Sequence, residues 1–312
     1  MNPFNNCSRS RVYKNIKVIN RRGIPFASIE IHDILIEHYL KEKAICKIIS
    51  KLDRTDPLRA KLLHEVYKIA HISKMKYIKV GFLRDNAFVH QSKKILAENL
   101  DNLFSDKGNM LELGCGKGHL LLAMNELRWD CKGVDIDTNQ LLKEIKENKI
   151  KVESTDILLY KDTQRYDLII MDNVLEHIPK HDCNYVLRKV YGLLKKDGYF
   201  VSITPNPLNG PHDVSRWFLP LSSKAEGTHF NEMTFTETIS IMKKLGFKNF
   251  KTPFIPFSLY IPYWLRFLFF WTKYKIPFAI LFEKIYPFLY HKLKPIRTFS
   301  LLVPSLIAAQ KY

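Results

Sequence analysis

The chain has 312 residues, 46% hydrophobic and 26% charged, with a formal net charge of +18. That mixture excludes wholesale disorder, and no run of about 18 uninterrupted apolar residues marks a membrane span. The basic, polar start lacks an apolar leader core, and the five cysteines (Cys7, Cys46, Cys115, Cys131, Cys183) never form C-x-x-C, so a reducing cytoplasm without disulfide framework or structural zinc is expected.

Charge is unevenly spread. Residues 1–105 hold 20 Lys and Arg against 10 Asp and Glu, 106–252 hold 21 against 20, and 253–312 hold 8 against 1. Basic flanks suit an acidic partner: a phosphate-bearing substrate, anionic lipid or nucleic acid. Lysine-rich helix faces that merely meet water are the alternative.

In chain order, the first hundred residues read as helices. Apolar residues from Ile31 to Leu52 recur at helical spacing, Asp56-Pro57 is an N-cap and first-turn pair opening a helix to about Ile72, and a third helix is expected over Asp85–Phe104. From Asn109 short apolar runs alternate with helical patterns, the mark of βα units around a parallel sheet. Strands are expected at Met110–Leu113, Cys131–Ile136, Lys151–Ser154, Tyr166–Asp172 and Tyr199–Thr204, with helices over His119–Arg128, Thr138–Asn148, Lys180–Leu194 and Thr234–Leu245. Residues 253–290 carry 15 of the chain's 39 aromatics, and prolines 253, 256, 262, 277 and 287 should break that stretch into short pieces. Ser300–Ala309 would close the sheet, at an edge or bulge because of Pro304.

The most informative residues are Glu112-Leu113-Gly114-Cys115-Gly116-Lys117-Gly118, where a strand runs into three alternating glycines and a helix follows. Such glycines permit a tight turn and close backbone approach by a ligand at the helix start. The dinucleotide spacing G-x-G-x-x-G would need glycine where His119 stands, and no Lys-Ser/Thr pair follows as in a phosphate-binding P-loop. The pattern resembles motif I of the class I S-adenosylmethionine-dependent methyltransferases. Further segments agree in order: Gly133-Val134-Asp135-Ile136-Asp137, then Thr155-Asp156-Ile157, then Tyr166 to Ile178, similar to the family's "FDLI…VLEHI", and Leu193 to Tyr199, similar to its "LLKPGG" turn. The resemblance covers roughly residues 86–250.

It implies an α/β fold, a Rossmann-like seven-stranded, mostly parallel sheet, with S-adenosyl-L-methionine bound by Glu112, Gly114, Cys115, Gly116, Gly118, Asp135, Ile136, Asp156 and Asn173. Asp135 would hold the ribose hydroxyls and Asp156 the adenine amino group. Around this core (106–252) lie a helical N-terminal extension (1–105), an aromatic-rich basic cap or lid (253–297) and a closing strand (298–312). After the fifth strand, Pro205 to Glu232 resembles a bacterial subset carrying "PN…GPHD-SR…H-E-T". In that loop His212 and His229 are candidate general bases, and Asp213 and Arg216 candidate acceptor contacts; the alternative is a loop that satisfies its own backbone. His177 and His181 stand four apart near Cys183, but Pro179 starts the helix between them, so they share no helical face and no metal is expected.

The fourth strand lacks the D/N-P-P-Y/F motif of amino-methylating DNA enzymes, and the cysteines do not suit C5 methylation of pyrimidines. A small-molecule, glycan or lipid-linked acceptor is left as the leading class, methylated on oxygen more readily than nitrogen. An RNA methyltransferase using the basic flanks and a non-catalytic donor-binding scaffold are the alternatives. The aromatic stretch suits a packed cap, peripheral contact at the inner membrane face through 253–290, or base stacking, with nucleic acid the least favoured partner.

Overall fold

The computed structural model describes residues 29–79, 89–220, 222–255, 263–290 and 306–312. Five strands pair in parallel: β1 (Asn109–Leu113), β2 (Asp130–Asp135), β3 (Lys151–Ser154), β4 (Tyr166–Asp172) and β5 (Leu194–Ile203). Three antiparallel strands complete the sheet: β6 (Phe247–Pro253), the two-residue β7 (Trp271–Thr272) and β8 (Leu306–Lys311). The order is β3-β2-β1-β4-β5-β8-β6-β7, which is the expected seven-stranded sheet with β7 added at its edge. Order reverses at β1, which lies between β2 and β4, and a crevice opens at the carboxyl ends of such strands.

The central strands are apolar on both faces because helices cover both. Leu168 and Ile170 pack with Leu96, Ala97 and Leu100 of α3 (Val89–Asp101) and with α4 (His119–Glu126). Ile169 and Met171 face the other way, toward Val186, Leu187 and Val190 of α6 (Lys180–Leu193) and Phe235, Ile239 and Met242 of α7 (Phe235–Lys244). Thr234 starts α7 with a capping box: its Oγ1 accepts from the Glu237 amide at 3.1 Å, and Glu237 Oε2 accepts from the Thr234 amide at 2.9 Å.

The N-terminal helices form a hairpin, α1 (Ile29–Ile49) and α2 (Pro57–Lys79). Asp56 caps α2 as expected, its Oδ1 accepting from the Leu58 amide at 2.8 Å, but the helix runs on past Ile72 to Lys79. Contacts of three kinds, among others, fasten the hairpin to the core. Arg59 pairs with Asp182 at 2.7 Å, both side chains 2% exposed. Tyr39 stacks on Phe218 with ring centroids 4.4 Å apart. Glu42 Oε1 accepts from the Thr228 amide at 2.7 Å.

Several local expectations are corrected. Thr138–Asn148 is not one helix but a 3₁₀ turn (Thr138–Gln140) and a short α5 (Lys143–Glu147), because the Leu142 amide donates to the Lys117 carbonyl at 3.0 Å instead of to its own helix. β5 begins at Leu194, and the "LLKPGG"-like turn is a bulge inside it. Tyr166 pairs with Leu194 while Leu168 pairs with Tyr199, and Asp197 takes a left-handed φ of 63°. β8 is an interior strand between β5 and β6, starting at Leu306, so of the two alternatives the edge does not hold, while its pairing with β6 does carry a bulge, between Lys248 and Lys251. Within the aromatic stretch, α8 (Lys275–Tyr290) continues unbroken after Pro277, which sits in its first turn where a missing amide costs nothing. Residues 1–28, Asp85, Pro256, Tyr260, Pro262, Ser300 and Pro304 lie outside the described residues. Among the described residues no helix is long and apolar enough to cross a membrane.

Candidate active site

The β1–α4 turn, the β2 and β4 ends, and one face of α2 enclose a cleft of about 700 Å³. Glu112, Gly114, Cys115, Gly116, Asp135, Ile136, Asp156 and Asn173 all line it, so eight of the nine positions expected to hold the donor converge there. Gly118 does not line it. It caps α4 at a φ of 83°, and a Cβ there would stand 2.7 Å from the Ile145 side chain. Gly114 (φ 77°) is likewise pressed against Val174, at 2.4 Å from a hypothetical Cβ. Gly116 (φ 51°) is different: a Cβ would meet nothing within 4 Å and would point into open space.

Polar groups preset this cradle. Asp135 Oδ2 accepts from the Gly116 amide at 2.7 Å and Oδ1 from the Asp137 amide at 2.9 Å. Burial raises the Asp135 carboxyl, against the lowering pull of those amides. Glu112 is 4% exposed, its Oε2 lacks a partner among the described residues, and burial and the neighbouring Asp172 push it well above the carboxylate range. Asp156 Oδ1 accepts from the Leu158 amide at 2.8 Å, and Asn173, at a left-handed φ of 55°, follows Asp172, which is ion-paired to Lys93 of α3. An open glycine backbone, an orphaned buried carboxylate oxygen and acids at successive strand ends fit a ligand rich in donors, such as a nucleoside with an ammonium group.

The expected acceptor loop folds around Glu232 rather than Asp213. Glu232 Oε1 lies 2.6 Å from His229 Nδ1 and accepts from the His212 amide at 2.8 Å; its Oε2 lies 3.5 Å from His212 Nδ1. The two imidazoles hold Glu232 down to about 2 despite its burial. Asp213 serves the loop itself: Oδ1 accepts from the Ser215 amide and hydroxyl, and Oδ2 from the Gly227 amide at 2.7 Å. The Arg216 guanidinium lies 5.8 Å from the Trp217 ring centroid. None of His212, Asp213, Arg216 and His229 lines the cleft. His177 does, and its ring meets that of His229 edge-on at 4.7 Å. Burial lowers His177 to about 4 and pushes the adjacent Glu176 up to about 7. His181, by contrast, is exposed on α6 beside Asp182.

Sequence reasoning missed the α2 wall. Leu63, Tyr67, Ala70, His71, Lys74 and Ile78 recur at helical spacing and face the cleft. The periodicity was visible, but mixed polarity makes such a stripe look like a solvated face. Glu232, three residues after His229, also went unassigned.

A parallel sheet with its glycine turn and acids at the switch point defines a Rossmann-like nucleoside-binding protein. The sequence profile of a family described as a methyltransferase domain matches residues 88–252. The chain belongs to this family, the class I methyltransferases whose donor is S-adenosylmethionine. No curated protein sequence matches it. Among solved structures it is similar to a SAM-dependent methyltransferase from Archaeoglobus fulgidus, 19% identical over 73% of this chain and 100% of that one, TM-score 0.44. It is also similar to the N-methyltransferase NodS from Bradyrhizobium japonicum, at 18% identity over 55% and 79% of the two chains with TM-score 0.41. Against the glycopeptide N-methyltransferase MtfA the values are 15%, 38%, 57% and 0.34, so the chain spans little more than half of that protein.

Proposed function

We propose that the chain transfers a methyl group from S-adenosylmethionine to an oxygen of a small-molecule, glycan or lipid-linked acceptor. The observation that carries this reading is the His177–His229–Glu232 series, which leads from the donor cleft into the polar loop. The donor supplies a methyl carbon on a sulfonium sulfur. The acceptor oxygen bonds to that carbon as the carbon–sulfur bond breaks, leaving a neutral thioether. His229 takes the hydroxyl proton through one bridging water, because His177 lies between it and the cleft, and Glu232 stabilises the imidazolium. Burial lowers His229, but Glu232, Glu176 and Asp213 outweigh it and raise the ring above its usual value, as a proton acceptor requires. Gly114 to Gly116, Asp135 and Asp156 hold the donor, and the α2 wall excludes water from the reacting atoms. Incubating the protein with methyl-labelled donor and fractionated cell extract tests this: label is expected in small-metabolite, glycan or lipid pools. Label confined to RNA, with binding that falls steeply with salt, overturns it.

We also propose peripheral contact with an anionic membrane. Tyr274, Phe278, Leu281 and Ile285 are all exposed, the last three on one face of α8, with Lys273 and Lys284 also exposed. Exposed apolar and aromatic side chains flanked by lysines suit an anionic surface, and the +7 balance of 253–312 has the matching sign.

A further inference from the structure

At the edge of the donor cleft lies a partly buried cluster to which donor binding assigns no role. Glu176, His177 and His229 each bring a ligand-capable atom to within 4.8 Å of the other two. Glu176 is 0% exposed, and among the described residues neither carboxylate oxygen has a hydrogen-bond partner. The Thr204 hydroxyl and the residue's own amide lie near enough to favour its charged form, without forming a bond of good geometry. Two idle oxygens on a fully buried carboxylate are costly unless a cation answers them.

Both imidazoles are preset to supply lone pairs. His177 Nδ1 lies 2.9 Å from the Thr228 carbonyl oxygen, which only accepts, so that nitrogen carries the proton. His229 Nδ1 lies 2.6 Å from Glu232 Oε1, which fixes its proton in the same way. Each ring therefore offers Nε2 as an acceptor, and a carbonyl or carboxylate on the other nitrogen is how metal-ligating histidines are commonly oriented. Thr228 is itself tied down on its other side, its amide donating to Glu42 Oε1 at 2.7 Å.

We propose that Glu176, His177 and His229 bind a divalent first-row transition-metal ion, of the zinc or manganese kind, with a coordination position open to the cleft beside His177. Two imidazoles and one carboxylate suit such an ion, whereas Mg²⁺ and Ca²⁺ prefer all-oxygen sets. Bonds of about 2.0–2.2 Å put ligand atoms about 3–3.5 Å apart, so side-chain shifts of about 1 Å close the site. Binding displaces any proton on His229 Nε2. The pairing missed in the sequence was not His177 with His181 but His177, in the turn after β4, with His229, in the long segment after β5. The open position would hold an acceptor oxygen; that clause rests on the methyl-transfer reading, whereas ion binding does not. With the ion bound, His229 is a ligand, and a hydroxyl on the ion gives its proton to water as its pKa falls.

The test uses the full chain, stripped with a chelator and titrated with Co²⁺, then Zn²⁺. One equivalent of cobalt with a visible absorption band, competed by zinc, is expected, together with a higher melting temperature. Glu176→Gln and His229→Gln should each weaken binding at least tenfold, while His181→Ala should not. Substoichiometric uptake at micromolar ion, or unchanged affinity in Glu176→Gln, overturns the site. If the variants fail to fold, the wild-type stoichiometry and spectrum decide alone. Ion bound without methyl transfer to any oxygen acceptor would sink the function proposed above and leave the site standing; oxygen methylation by metal-free protein, with no ion taken up, would do the reverse.

Discussion

Gly116 lines the cleft, and a Cβ there would meet no atom of the described residues within 4 Å. Gly116→Val is therefore expected to abolish S-adenosylmethionine binding in calorimetry. The fold should lose only about 1–2 kcal/mol, the strain of a side chain at left-handed φ. Near-normal affinity would refute the donor assignment. The same change at Gly114 or Gly118 should instead cost stability, since Val174 and Ile145 fill those spaces. Asp135→Ala should weaken the donor by about 1.5–3 kcal/mol, the range for hydrogen bonds to a charged group, and loosen the Gly116 amide it anchors. Unchanged affinity would leave Asp135 a purely structural residue. These cleft positions were legible because each sits at a strand end, where a few consecutive residues fix both turn and direction. Lys93, Glu232 and the α2 wall were not, since they reach the site only through packing between distant segments.

Elements hold one another through buried charges that no local pattern announces. The clearest is Glu283 of α8, 5% exposed, which accepts from Asn206 Nδ2 at 2.6 Å and from the Phe235 and Thr236 amides at 2.7 and 2.8 Å. It thereby caps α7 from outside and holds the segment after β5. Glu283→Ala should destabilise the fold by about 3 kcal/mol, because buried donors are left unsatisfied and a carboxylate is lost from a helix N-terminus. Urea unfolding checks this; a change under about 0.5 kcal/mol would mean that water replaces the carboxylate without penalty. Expected strands and helices were mostly right because apolar periodicity is local. The failures were local competitions decided at a distance: Leu142 spends its amide on the glycine loop, and Leu194 joins β5 by pairing with Tyr166. Glu283 is the only acid in 253–312, and that isolation was the one hint of its role.

For the whole molecule, the exposed side of α8 is the testable surface. Phe278→Asp with Leu281→Asp should lower co-sedimentation with phosphatidylserine-containing vesicles several-fold and leave donor affinity unchanged. Equal sedimentation, or none for the parent protein, would defeat the membrane reading. The sheet's connectivity has another consequence. β8 fills the place between β5 and β6, with Leu306 opposite Ile203 and Lys311 opposite Phe247. As the polypeptide leaves the ribosome, β5 emerges with a bare edge, and β6 follows with only the two-residue β7 to pair with. Both wait until residues 306–311 have cleared the exit tunnel. Throughout that interval an apolar, hydrogen-bond-hungry strand edge is offered to other nascent chains and to chaperones. Substitutions in 306–311 should therefore register first as lost yield of newly made protein, sooner than as a lower melting point of the molecules that succeed in folding.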